Sequence, residues 1–355
     1  VSDVFSNKDI LLKLTGNISV GHNRYGTTGE SALKNVQPLF SEINIGGIAI
    51  AHNGNLPNTN QLKEKLIKNG AIFQSTSDTE VILHLISTYK GKLIDRLIYA
   101  LESIRGAFSL VLLTHDSLIG VRDPFGIRPL VLGKLNESFI LSSESCGLDI
   151  IGAELIRDIE PGEIVIIKNN IVESIKPFKK TCLRPCLFEY IYFSRPDSVL
   201  EGRNVYNVRK NIGNQLALEN KGDNKLIDIV IPIPDSGNAS ALGYAEKIKK
   251  PFELGIIRNH YTGRTFIEDS TTVRNLSVRL KHNPNTSSFK NKNIALIDDS
   301  VVRGTTSIKI VEMLKNCGVK KIHMRIASPP VKYPCLYGID TPTKEALLAS
   351  KYTIT

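Results

Sequence analysis

Two adjacent carboxylates, Asp298 and Asp299, close an apolar run and open a turn rich in hydroxyls: Ile294-Ala-Leu-Ile-Asp-Asp-Ser-Val-Val-Arg-Gly-Thr-Thr-Ser307. The pattern predicts a buried strand, an acidic pair at its carboxyl end and a loop opening a helix. Ligands of open α/β sheets bind at such strand ends. Gly304 lets backbone approach an anion, and the amides at the helix start, with the hydroxyls of Thr305, Thr306 and Ser307, suit a phosphate. The carboxylates cannot also hold phosphate. They suit ribose hydroxyls, or a magnesium ion shared with the substrate. A sugar phosphate that also carries a diphosphate satisfies both halves.

Two further stretches fit the same ligand. Ile233-Pro-Asp-Ser-Gly-Asn238 follows an apolar run directly, and its short turn can present amides and Ser236 to a diphosphate or its metal. Arg258-Asn-His-Tyr-Thr-Gly-Arg264, continuing to Arg274, Arg279 and Lys281, is basic and weakly patterned. It reads as a flap that closes over the diphosphate and excludes water, which would otherwise hydrolyse an activated ribosyl centre.

A different chemistry is spelled out earlier in the chain. Arg24, in Gly21-His-Asn-Arg-Tyr-Gly-Thr27, can grip a carboxylate in bidentate fashion. Asp78, in Ser77-Asp-Thr-Glu80, can accept from an ammonium, although this string is first of all a capping box. Asn53 and Gly54, in Ala51-His-Asn-Gly-Asn-Leu56, can pair a side-chain amide with a backbone N–H as an oxyanion hole, although Asn-Gly is first of all a turn signal. An amino acid with an amide carbonyl fits all three. His22 and His52 flank this site and order its loops.

The elements that must carry these groups differ between the halves, which divide near residue 185. The first half shows short β-rich runs at 46–51, 107–113, 139–142 and 163–167, with helical patterns near 59–69 and 79–105. Many strands with few crossovers suggest an α+β layered structure. In the second half, apolar runs at 226–233, 252–257, 294–298 and 321–327 alternate with helical patterns near 238–249 and after residue 304, up to Gly318. This predicts a parallel, doubly wound α/β sheet. The Asn-, Ser- and Lys-rich segment 281–293 reads as a mobile loop.

Length and composition agree. A chain of 355 residues suits two domains. No apolar run is long enough for a membrane span, and five irregularly spaced cysteines do not outline a disulfide framework, so a reducing cytoplasm is expected. The formal charge of +10 could mean nucleic acid, but it is spread along the chain; a phosphate-rich small substrate explains part of it and a Lys/Asn/Ile-rich composition the rest, with no membrane partner expected.

The segment 294–307 resembles the fingerprint of type I phosphoribosyltransferases, which bind phosphoribosyl pyrophosphate (PRPP). The early motifs resemble the glutaminase domain of N-terminal-nucleophile amidotransferases, a layered αββα fold. Together, with Asp123-Pro-Phe-Gly-Ile-Arg-Pro-Leu130, Glu189-Tyr-Ile-Tyr-Phe-Ser-Arg-Pro-Asp-Ser198 and Pro334-Cys-Leu-Tyr-Gly-Ile-Asp-Thr341, the chain resembles the glutamine phosphoribosylpyrophosphate amidotransferase family. The resemblance implies a glutaminase domain over 1–185 and a phosphoribosyltransferase domain over 186–355. It implies that ammonia from glutamine displaces pyrophosphate from PRPP to give 5-phosphoribosylamine, the first committed step of purine synthesis. Arg24 and Asp78 would bind glutamine, and Asn53 and Gly54 would stabilise the tetrahedral intermediate. Asp298 and Asp299 would hold the ribose hydroxyls and Mg2+, with Ser236. Ser300, Arg303, Gly304, Thr305, Thr306 and Ser307 would hold the 5-phosphate, and Arg264 the diphosphate. One branch of the family carries a 4Fe-4S cluster, and Cys186 and Cys335 match two of its four ligands. Homotetramers or dimers and inhibition by purine nucleotides are also implied.

Two departures matter. The family's nucleophile is an N-terminal cysteine, yet residue 1 is Val1 and the first cysteine is Cys146. The other two cluster ligands would lie beyond Thr355. Both suggest an internal piece of a longer protein. The alternatives are an amidotransferase making an amino sugar, which would lack the Asp298-Asp299 motif, and a catalytically incomplete regulator binding nucleotide or RNA.

Overall fold

The computed structural model describes residues 7–23, 32–259 and 282–352. The chain forms two compact units, Val1–Cys186 with Cys335–Asp340, and Leu187–Pro334 with Thr341–Thr355. Arg24, Arg264 and most of the expected basic flap lie outside the described residues.

Unit 1 is built on a six-stranded antiparallel sheet. Its strands are β1 (Leu39–Ile43), β2 (Gly46–Asn55), β3 (Ala107–Leu113), β4 (Leu118–Arg122), β8 (Ile164–Lys168) and β9 (Ile171–Ile175), in the order β1-β2-β3-β4-β8-β9. A second sheet holds β5 (Val131–Leu135), β6 (Ser138–Ser142) and β7 (Glu154–Asp158), with β5 central. Period-two alternation sorts each strand's side chains between two cores. Phe108, Leu110 and Leu112 of β3 and Ile164 of β8 face the helices α1 (Thr59–Lys68), α2 (Thr79–Thr88) and α3 (Leu93–Ser103). Val111 of β3, with Val165 and Ile167 of β8, packs instead on Leu132, Phe139 and Leu141 of the second sheet. A short helix, Ser145–Ile150, sets Leu148 against Val131 and completes a layered αββα arrangement. The helical pattern near 79–105 is two helices. Gly91, at φ +131°, sits in the break between α2 and α3.

Unit 2 has a parallel sheet of β10 (Ile229–Pro232), β13 (Asn293–Asp298) and β14 (Lys321–Ile326), with β13 central. Between β10 and β13 in sequence lie β11 (Ile256–Arg258) and β12 (His282–Pro284). Helices α4 (Val205–Glu219) and α5 (Asn238–Ile248) cover one face through Ala217, Ala241, Tyr244 and Ala245. Helix α6 (Thr305–Asn316) covers the other through Ile310 and Leu314. The sheet is therefore doubly wound, as a central strand buried on both faces requires. Among the described residues no helix is long and apolar enough to cross a membrane.

Two expectations need correction. The run 252–257 contributes only a bridge from Phe252 to Val230. Its end, β11, pairs antiparallel with β12 outside the main sheet. The stretch read as a mobile loop carries structure over 282–293: strand β12, then a helical turn over Thr286–Phe289. Phe289 is fully buried against Ile231, Leu296 and Leu314. Local polarity misled the sequence reading, because one aromatic docked on a distant core orders a polar segment. Phe289→Ala should therefore cost about 3–5 kcal/mol in urea unfolding of this chain, whereas a value near zero would restore the loop.

Candidate active sites

In unit 2 the acidic pair stands at the carboxyl end of the central strand. Asp298 is the last residue of β13 and Asp299 the first of the following loop, and both are buried. The flanking backbone is tied down: Ala327 N–H donates to Asp298 O at 2.9 Å and Ser328 N–H to Asp299 O at 2.7 Å. Burial, and the charge of Asp299 beside it, push the Asp298 carboxyl up to about 7. Burial likewise raises Asp299, against the pull of the Ser236 and Ser300 hydroxyls and the Arg209 cation. Ser300 Oγ donates to Asp299 Oδ1 at 2.8 Å. The Ser236 hydroxyl bears on the same carboxylate, and Asp299 Oδ2 has no hydrogen-bond partner among the described residues.

The loop then enters α6 through Gly304. Its φ of +78°, left-handed backbone, is a natural glycine position at this helix entrance. Arg303, Thr305 and Thr306 are exposed and Ser307 is half-buried, so the amide-rich start of α6 faces solvent. Across the sheet, Ile233 N–H donates to Ile297 O at 2.8 Å, which sets the 233–237 turn beside the acidic pair. That turn contains a cis Pro234–Asp235 peptide, and Asp235 pairs with Arg258. Of the expected residues, Asp298, Asp299, Ser236 and Ser300 are brought together.

An orphaned carboxylate oxygen beside a second buried carboxylate fits a divalent cation. Magnesium commonly takes one or two protein carboxylates and completes its shell with water and substrate phosphates. Cys186 and Cys335 both fall in unit 1, but two thiolates are half of what an iron–sulfur cluster needs, and the described residues do not complete the set.

In unit 1, Asn53 and Gly54 lie within β2, opposite Ser109 and Phe108 of β3, rather than in a turn. Gly54 has φ +145°, and a Cβ there would meet Ala107 O at 2.0 Å, so no other residue fits without displacing β3. The returning segment Cys335–Asp340 lies on this strand. Gly338 approaches the Gly54 backbone closely, and Asn55 Nδ2 donates to Leu336 O at 2.8 Å. Asn53 Oδ1 accepts from Arg128 Nη2 at 2.9 Å.

Asp78 is buried at the start of α2. Its Oδ2 accepts from Leu56 N–H at 3.1 Å, and Oδ1 is 3.6 Å from His52 Nδ1. Burial opposes ionisation, but His52 and the Leu56 and Thr79 amides outweigh it, and the carboxyl titrates below its ordinary value. An anionic Asp78 suits an ammonium ligand. Gln37 joins the two segments: its Oε1 accepts from His52 N–H at 2.7 Å and its Nε2 donates to Thr79 Oγ1 at 3.1 Å. The capping box is displaced. Glu80 accepts from the Gln74 and Ser75 amides, and Ser77 Oγ from Thr79 N–H.

Sequence reasoning gave no role to Arg122, Asp123 or Arg128. Asp123 is fully buried and accepts from the amides of Phe108, Phe125, Ile127 and Arg128. Arg122 donates to the carbonyls of Arg128, Ile159 and Gly126. The available signal was an Arg-Asp pair closing the apolar run Leu118–Val121, where unpaired charge is costly. Arg209 was missed too. It is buried on α4, and its charge acts on Asp299.

Comparison with known proteins finds two domain matches. A glutamine amidotransferase domain matches residues 22–149 and a phosphoribosyl transferase domain residues 202–327. The amidophosphoribosyltransferase of Rhizobium etli is 51% identical over 358 residues, covering 99% of this chain and 72% of that protein. The chain belongs to the amidophosphoribosyltransferase family. Glutamine PRPP amidotransferase from B. subtilis, solved with ADP and GMP, matches with a TM-score of 0.87 and 42% identity, over 94% of this chain and 72% of that one. A structure described as the allosteric regulatory enzyme of purine biosynthesis matches with a TM-score of 0.90 and 41% identity, over 99% and 75%. Members are pentosyltransferases and glutamine amidotransferases acting at the committed step of purine synthesis, and the regulator alternative is not favoured.

The acidic pair carries a stability consequence. The folded-state pKa of Asp298, about 7, lies above the ordinary 3.8. Between those values the unfolded chain has released a proton that the folded chain still holds. Stability therefore falls as pH rises through this window and stays low above it. In magnesium-free buffer, Asp298→Asn should match the parent chain near pH 4 and melt higher at pH 8, by about 2–4 °C per kcal/mol relieved. Equal melting temperatures at pH 8 would show that the pair is not strained.

Proposed function

We propose that this chain carries the glutamine and PRPP sites of an amidophosphoribosyltransferase, with glutaminase chemistry in residues 1–185 and phosphoribosyl transfer in 186–355. The observation that carries the reading is the buried Asp298-Asp299 pair, one oxygen orphaned, at a strand end beside the open start of α6. In this reading Asp298 and Asp299 bind the ribose hydroxyls and, with Ser236, hold Mg2+. Bound there, the ion would neutralise the departing pyrophosphate. The loop from Ser300, with Arg303 and Gly304, and the amides and hydroxyls of Thr305, Thr306 and Ser307 bind the 5-phosphate, as helix starts favour anions. Arg264 joins from the basic segment.

In the glutamine site Asp78 accepts from the substrate ammonium and Arg24 grips its carboxylate. Asn53 Nδ2 and the Gly54 amide receive the negative charge that develops on the amide oxygen. Cys186 and Cys335 are candidate ligands for two positions of a 4Fe-4S cluster in the full-length protein, and no step is derived through it. Purine nucleotides as inhibitors, a homo-oligomer (tetramer or dimer) and a cytoplasmic location complete the proposal. The relative solved with ADP and GMP supports the nucleotides.

The test separates the two sites in the full-length protein. Asp299→Ala should abolish magnesium-dependent pyrophosphate release with glutamine and with ammonia alike. Arg24→Ala should lower only the glutamine-dependent rate. Near-normal turnover in Asp299→Ala, or equal loss with both nitrogen sources in Arg24→Ala, would sink the two-site reading.

A further inference from the structure

We infer that Arg128 is a positioning residue for ammonia release, acting through Asn53. The inference rests on the reading of Asn53 as an oxyanion donor. A primary amide is nearly symmetric in shape, so Asn53 could present either nitrogen or oxygen to the substrate. Oxygen would repel the developing oxyanion. A guanidinium has donors and no acceptor. Its 2.9 Å contact to Asn53 Oδ1 therefore fixes which end is which, and Nδ2, without an acceptor among the described residues, is the end left to donate. The cation also polarises the amide and strengthens its N–H as a donor.

The backbone of Arg128 is held on both sides. The residue is 2% exposed. Its amide donates to Asp123 Oδ2 at 3.2 Å, and its carbonyl accepts from Arg122 Nε at 2.8 Å and from Ser109 Oγ at 3.2 Å. Ser109 is the residue opposite Asn53 in the β2–β3 register. Thus the strand that sets the backbone of Asn53 also sets the origin of the guanidinium that orients its side chain.

The experiment is a double-variant cycle in the full-length protein, with glutamine and ammonia as alternative nitrogen sources. Arg128→Met should lower kcat for glutamine hydrolysis ~10–100-fold, a share of the ~10²–10³-fold lost with an oxyanion donor. KM for glutamine should stay nearly constant, because the donor acts in the transition state, and ammonia-dependent transfer should be unchanged. Arg128→Lys, which keeps a charged donor, should recover part of the loss. In an Asn53→Ala background Arg128→Met should add little. Multiplying losses in the double variant, or equal deficits in the Met and Lys variants, would overturn the inference, as would wild-type kcat in Arg128→Met while Asn53→Ala is impaired. Full glutamine activity in Asn53→Ala would instead overturn the oxyanion reading itself. If Arg128→Met does not fold, Arg128→Lys closes the same cycle.

Discussion

Buried charge has to be matched, and the two units meet that constraint in opposite ways. At the end of β4 in unit 1 the match is internal. Asp123 collects four backbone amides, and Arg122 spends its three guanidinium nitrogens on three carbonyls. Removing Asp123 would leave its amides, and removing Arg122 its carbonyls, without that buried partner. In unit 2 the match is incomplete. Asp298 and Asp299 sit side by side with one oxygen orphaned, and Arg209 offers only partial relief.

The internal match gives unit 1 its precision. The turn after β4 would otherwise be a surface loop free to shift. Pinned from inside by Asp123 and Arg122, it delivers Arg128 to β2, while Arg122 ties the end of β4 to Ile159 just beyond β7. On its other side β2 accepts the returning segment around Gly338, which only a glycine pair permits at that separation. The backbone of the candidate glutamine site is thus set by packing on both flanks, and Asp78 is oriented by a separate relay through His52, Thr79 and Gln37.

The incomplete match in unit 2 suits a binding site. A carboxylate pair fully neutralised by the protein would have little affinity left for a cation or for ribose hydroxyls. Stability is sacrificed where the ligand supplies the missing partner, a common relation between strain and function. The doubly wound sheet makes this tolerable, because β13 is buried on both faces and held by β10 and β14 along most of its length.

The sequence by itself determined what depends on neighbours in the chain. The apolar run, acidic pair, turn and helix start of 294–307 are contiguous, so strand, site and helix were all legible there. The short β-rich apolar runs at 107–113 and 163–167 likewise announced β3 and β8. What joins residues far apart in sequence was decided only by tertiary structure. Asn53-Gly54 carries a local turn signal, yet pairing with β3 keeps it extended, and its partner Arg128 lies 75 residues away. Phe289 sits in a polar stretch whose composition says loop, yet the core of unit 2 draws it in. Arg209 bears on Asp299 from a different helix. Hydrogen-bonding and burial across such separations leave no local pattern, because the energy that selects them comes from packing elements whose sequences are independent of one another.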